Sequence, residues 1–135
     1  MAGKSRKRDM LFRQFLLVGA GGAVGSMARY GVSYIMSKFL VDPYKFSATF
    51  TINIIGSLII GILFGLTARN QWMKEGGYLL LASGFCGGFT TFSSFALENV
   101  NLLQKGQSFL SFAYVLLSVV VGLLVCRLGI WMVNI

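Results

Sequence analysis

Hydroxyl, amide and aromatic side chains recur in this sequence at helical spacing, inside stretches that are otherwise apolar. Thr49, Asn53 and Ser57 lie four residues apart and share one helix face. Ser111, Tyr114 and Ser118 share another, with Gly122 extending the line. Phe92 and Phe95 share a third with Asn99. Hydroxyls and amide groups form hydrogen bonds, so such a stripe can tie one helix to the next or line a polar route. Interhelical bonding, worth about 0.6–2 kcal/mol per bond, accounts for any one stripe. Three stripes together fit a polar route better.

Covalent chemistry has no support. The sequence holds no His, no paired carboxylates within a site and no metal-ligand cluster. Its serines and threonines therefore lack a base to activate them. Cys86 and Cys126 fall in apolar stretches, where buried thiols act as small hydrophobes and a disulfide is not expected. Two charges stand in unusual places, Arg29 and Glu98. A charge deep in a membrane helix costs at least about 2.5 kcal/mol and is usually paired or functional. The milder readings are that Arg29 snorkels to the interface and that Glu98 sits near a helix end.

The run Gly84-Phe85-Cys86-Gly87-Gly88-Phe89-Thr90-Thr91-Phe92-Ser93-Ser94-Phe95 crowds three glycines and four hydroxyl residues into one apolar stretch. Gly and β-branched Thr both weaken a helix. One reading is a helix break, tolerated at membrane depth only where protein or a watery cavity surrounds it. Such breaks offer carbonyls to cations and amides to anions. The other reading is a Gly/Ser/Thr packing interface.

The elements that must position these groups are membrane helices. Of 135 residues, 56% are hydrophobic and 12% charged, against about 25% charged in a soluble domain. A crossing needs about 20 mainly apolar residues. Residues 46–68, 76–97 and 106–126 contain no charge, and 15–40 is a fourth candidate containing Arg29 and Lys38. The fourth is too long for a signal peptide and lacks a small-residue cleavage site. The connectors centre on Val41–Lys45, Arg69–Glu75 and Lys105, with the single proline, Pro43, in the first. Gly21-x-x-x-Gly25 and Gly61-x-x-x-Gly65 are close-packing signals.

A net charge of +8 reflects juxtamembrane basic residues meeting anionic lipid, not a nucleic-acid surface. Residues 1–11, with Lys4, Arg6, Lys7 and Arg8, read as a disordered lipid-facing tail, and 12–135 as one four-helix membrane domain. Without the tail and Arg13, one side carries Arg69 and Lys74 and the other Lys38, Lys45 and Lys105. The orientation rule then has little to act on; counting the tail favours an inside N-terminus.

Gly84 to Phe95, continued by Ala96-Leu97-Glu98, closely resembles the signature of the Fluc (CrcB) fluoride channels. Gly21-Gly22-Ala23-Val24-Gly25-Ser26-Met27-Ala28-Arg29-Tyr30 and Thr49-Phe50-Thr51-Ile52-Asn53-Ile54-Ile55-Gly56 resemble its first and second spans. The likeness runs from about Leu16 to the end of the fourth stretch. It implies a passive fluoride-selective channel that lets cytoplasmic fluoride out and relieves its toxicity. The implied fold is all-α and integral to the membrane, with four transmembrane helices and the third broken at mid-membrane. The implied assembly is an antiparallel, dual-topology homodimer with two pores and a structural sodium ion between the subunits. A bacterial inner membrane is the implied location.

The resemblance also assigns roles. Backbone carbonyls of Gly87 and Thr90 match the sodium site. Phe92 and Phe95 match the phenylalanines lining the fluoride path, and Asn53 its asparagine. Tyr114 and Ser118 match the polar track of the fourth span, where Gly122 replaces a hydroxyl of some relatives. Thr91, Ser94 and Thr49 are neighbouring hydroxyl candidates. Arg29 matches the first-span arginine, and Glu98 follows the motif at the usual place. The chemistry agrees. Fluoride only accepts hydrogen bonds, so a pore must offer donors, and an aromatic ring edge is the positive part of its quadrupole. A sparse neutral path also binds weakly enough to release the ion.

Two other classes are considered. A four-helix proton-coupled multidrug exporter needs a carboxylate in its first span, which here carries Arg29 and no acid. A non-conducting assembly subunit or scaffold would use the glycine interfaces and leave the polar stripes without a purpose.

Overall fold

A computed structural model describes residues 2–41 and 44–134. Every regular element in it is helical: α1 (Ala2–Ser37), α2 (Ser47–Thr67), α3 (Gly87–Phe89), α4 (Phe92–Gln104) and α5 (Ser108–Asn134). Two π-helical segments, Met73–Gly77 and Leu79–Cys86, precede α3, and a 3-10 turn, Tyr44–Phe46, precedes α2. Four stretches are long and apolar enough to cross a membrane: Arg6–Ser37, Tyr44–Thr67, Leu79–Gln104 and Ser108–Asn134.

The basic N-terminal segment departs from expectation. It is helical from Ala2 onward as the start of α1, not a disordered tail. No proline interrupts residues 2–37, and Lys, Arg, Met and Leu are good helix formers, so the membrane helix extends past the apolar boundary. Pro43 lies outside the described residues.

The connectors carry recognisable stop signals. After α4, Gly106 has φ 74°. The Gln107 N–H donates to the Leu102 carbonyl at 2.9 Å and the Gly106 N–H to Leu103 at 3.0 Å. These are the two closing bonds of a Schellman cap, which needs the left-handed conformation glycine adopts freely. Before the third stretch, Gly76 has φ 147° and makes the turn at the end of the second connector. Asn70 Oδ1 accepts from the Trp72 N–H at 3.0 Å in the same connector.

Helix packing falls into two close pairs. α1 lies along Leu79–Cys86 and α3, and α2 lies along α5. Both rest on glycines, as the small-xxx-small spacing predicts. Gly21 sits on the Leu80 carbonyl, Gly25 on the Phe85 carbonyl and Gly88 on the Gly22 carbonyl. Across the other pair, Gly61 sits on the Cys126 carbonyl and Gly129 on that of Leu58, while Gly65 meets Val133. A Cβ at most of these positions would strike backbone, which cannot swing aside.

The third stretch belongs to both pairs. Leu79–Phe89 packs on α1, whereas α4 leans on α5. Thr90 (φ −77°, ψ 159°) and Thr91 (φ −149°, ψ 120°) lie extended between them. Leu63, Met73, Ala82 and Cys86 form a small buried cluster between α2 and Leu79–Cys86. Many large apolar side chains on α1 and α5 face outward, among them Phe15, Leu123 and Trp131. Cys86 and Cys126 are free thiols.

Candidate functional site

The polar stripe of α2 faces the extended residues of the third stretch. Asn53 bonds Thr91 twice: its Nδ2 donates to the Thr91 carbonyl at 3.1 Å, and its Oδ1 accepts from the Thr91 N–H at 2.9 Å. An amide side chain thus replaces the helical partners that Thr91 gives up by being extended. The Thr91 side chain then starts α4. Its Oγ1 accepts from the Ser94 N–H at 3.2 Å, as an N-cap, and contacts Ser94 Oγ at 3.1 Å and Ser93 Oγ at 3.2 Å. Thr90 closes the preceding turn, its Oγ1 donating to the Cys86 carbonyl at 2.9 Å. Gly56 provides room for this arrangement, because a Cβ there would enter the Thr90 methyl group.

One turn along, three helices meet at Glu98. Thr49 Oγ1 donates to Glu98 Oε1 at 2.7 Å from α2, and Tyr114 OH to Oε2 at 2.9 Å from α5. Beyond it, Ser111 Oγ donates to Asn99 Oδ1 at 2.9 Å, and Asn99 Nδ2 to the Phe95 carbonyl at 2.8 Å. The Phe95 ring stands edge-on to Tyr114, with centroids 5.0 Å apart and planes at 66°.

Two clefts flank the Asn53–Thr91 contact. One, of about 380 Å³, is lined by Asn53, Ser57, Gly87, Thr90, Thr91 and Phe92, among others. The second, of about 240 Å³, is lined by Ser26, Arg29, Tyr30, Ser33, Thr49, Thr91 and Ser94. Arg29 is half-buried there among hydroxyls, and no acidic side chain lines that cleft.

The residues expected from the sequence are therefore mostly gathered, with differences. Asn53, Thr91 and Ser94 form one hydrogen-bonded group and Thr49, Glu98 and Tyr114 form a second beside it. Gly87 and Thr90 border the larger cleft. Phe92 and Phe95 share a helix face by spacing but not an environment: Phe92 is 79% exposed and Phe95 half-buried against Tyr114. Ser118 lies off both groups, its buried Oγ without a hydrogen-bond partner among the described residues. Next to Gly122, where the hydroxyl track was expected to lapse, Ser57 Oγ lies 3.7 Å from the position a Cβ would take. Sequence reasoning missed Ser26 and Ser33. Their spacing with Arg29 and Tyr30 along α1 carried the signal, since positions three, four and seven apart share a face.

Fold and site together define a multi-pass helical membrane protein whose donor-rich side chains gather where its third stretch is extended. A family model described as "CrcB-like protein, Camphor Resistance (CrcB)" matches residues 16–130. The chain belongs to this family. It is 47% identical over 121 residues to a fluoride-specific ion channel FluC of Gloeothece citriformis, covering 90% of this chain and 97% of that one. A protein of the same description from Methylobacillus flagellatus is 42% identical over 121 residues, covering 90% and 94%. One from Azobacteroides pseudotrichonymphae is 38% identical over 119 residues, covering 88% and 94%. The family is one of ion channels, which are not enzymes.

Proposed function

We propose that this chain is a fluoride-selective passive channel that releases cytoplasmic fluoride across a bacterial inner membrane. The observation that carries the reading is its match, over nine-tenths of its length, to relatives described as fluoride-specific ion channels. The site supports it chemically. Asn, Thr, Ser and Tyr donors converge where the third helix gives way to extended backbone, which we read as a break at mid-membrane. Ser118 holds a buried hydroxyl with no partner among the described residues, available to a passing acceptor. Arg29 brings positive charge to the lining of the smaller cleft.

The functional unit is an antiparallel homodimer of chains inserted in both orientations. Phe92, largely exposed on one chain, and the open clefts beside it are completed by the second copy. Gly87 and Thr90 supply carbonyl oxygens to a structural sodium ion. They fit that role in that both border the larger cleft. Gly87 is exposed, and a Cβ there would meet nothing within 4 Å, so no side chain screens its backbone. Unwound backbone is a usual sodium ligand in membrane proteins. Two carbonyls from one chain are too few for a cation, which is why the site is placed between subunits. When bound, the ion adds fixed positive charge beside the fluoride path.

The test is flux. Liposomes holding the purified protein release fluoride to a fluoride electrode, with chloride far behind and no dependence on a proton gradient. Phe95→Ile lowers the flux about tenfold, the upper range of an aromatic edge contact, while the protein still dimerises. Equal fluoride and chloride fluxes refute the selectivity claim.

A further inference from the structure

A second cleft region lies away from these hydrogen-bonded groups, where the N-terminal half of α1 meets the connector before the third stretch. Two adjoining cavities, of about 270 and 140 Å³, share Arg13, Leu17, Glu75 and Gly76. Lys74 borders the larger and Trp72 the smaller. By helical spacing Arg6, Met10, Arg13 and Leu17 fall on one face of α1. Arg13 and Lys74 form no ion pair among the described residues. Glu75, the acid present, already accepts from Gln71 Nε2 at 3.1 Å through one oxygen, leaving the other open. Trp72 is 53% exposed beside it, as expected of a residue at headgroup depth.

We propose that this cleft binds the headgroup of an anionic glycerophospholipid. The phosphate pairs with Arg13 and Lys74. Headgroup hydroxyls donate to the open oxygen of Glu75. The acyl chains leave along the apolar side chains of Leu17 and Leu79, which line the same cavity. That mixture of cation and hydrocarbon within one cleft favours a lipid over free phosphate, which would gain nothing from the leucines. Basic pockets between membrane helices take lipid headgroups by this combination of charge and depth. The site pins the N-terminal half of α1 to the second connector, where Leu17 lies close to Gly76. This proposal does not rest on the fluoride reading.

The test is thermal unfolding of the purified full chain in neutral detergent with added phosphatidylglycerol. The melting temperature rises saturably with the mole fraction of phosphatidylglycerol and does not rise with phosphatidylcholine. In Arg13→Gln/Lys74→Gln the half-saturating mole fraction increases about twenty-fivefold, from about fivefold per cation. Lys38→Gln, on the first connector, leaves it unchanged. Should the double variant be poorly folded in phosphatidylcholine, Lys74→Gln alone gives about a fivefold weakening, and Arg13→Lys retains the response. Equal protection by phosphatidylcholine, or an undiminished response in both Gln variants, overturns the proposal. Protection by glycerol 3-phosphate matching that of the lipid reassigns the cleft to a free anion and overturns it as well.

Discussion

Replacing Asn53 with Ala tests whether the extended residues are held from outside their own helix. The side chain makes two hydrogen bonds, both to the backbone of Thr91, at 3.1 and 2.9 Å. Thr91 is 8% exposed, so its amide and carbonyl lose both partners in a confined place. A buried polar group left unpaired costs about 1–3 kcal/mol, which for two gives about 2–6 kcal/mol. Clefts open on either side of Thr91, and water entering them recovers part of that, so a loss of about 2–4 kcal/mol is expected. The assay is unfolding in mixed micelles by titration with a denaturing detergent, following helix content and an aromatic signal together. Asn53→Gln keeps both groups but sets them one methylene further out, and should lose nearly as much. Thr91→Val, which keeps the backbone and removes only the cap hydroxyl, should lose about 1 kcal/mol. A loss below about 0.5 kcal/mol for Asn53→Ala, the range of an ordinary surface change, refutes the reasoning.

Four further outcomes follow from the surroundings of named residues. Tyr114→Phe and Glu98→Gln should each destabilise by about 1–3 kcal/mol, and their double variant should fall short of the sum by more than about 0.5 kcal/mol in the same unfolding assay. Gly25→Ala should destabilise by about 2 kcal/mol or more because its Cβ enters the Phe85 carbonyl. Gly31→Ala, which meets nothing within 4 Å, should stay within about 0.5 kcal/mol of the parent or gain stability. Ser111→Ala strips Asn99 Oδ1 of its donor at a buried position and should cost about 1–2 kcal/mol.

Much of this arrangement is legible in the residues. Uncharged apolar runs place the second and fourth crossings almost where Tyr44–Thr67 and Ser108–Asn134 lie, because hydrocarbon length is a hard constraint. Glycines four apart announce which faces of α1 and α2 approach backbone, and they do so at Leu80, Phe85 and Cys126. The start of α1 was misread because a charged segment suggests solvation, while helix continuity depends on propensity and the absence of a breaker. The site was legible as stripes but not as bonds. Periodicity puts Thr49 and Asn53 on one face; it cannot say that one meets Glu98 and the other Thr91. That depends on the third stretch being extended at Thr90–Thr91, which shifts every later residue relative to α2. The π-helical winding of Leu79–Cys86 carries no sequence signal we can identify. Phe92 and Phe95 show the limit most plainly, since equal spacing and type leave one outside and one against Tyr114.

The pairing of helices also bears on how the chain is made. α2 packs chiefly on α5, and α1 on the first half of the third stretch. During synthesis neither of the two earliest helices meets its main companion when the next one emerges. The Gly61 face of α2 waits for α5, which follows it in the chain by two connectors. A nascent chain halted before Ser108 therefore carries an unmatched glycine face on α2 and a Glu98 without its Tyr114 donor. Emergence of α5 is the step that gives α2 its main companion.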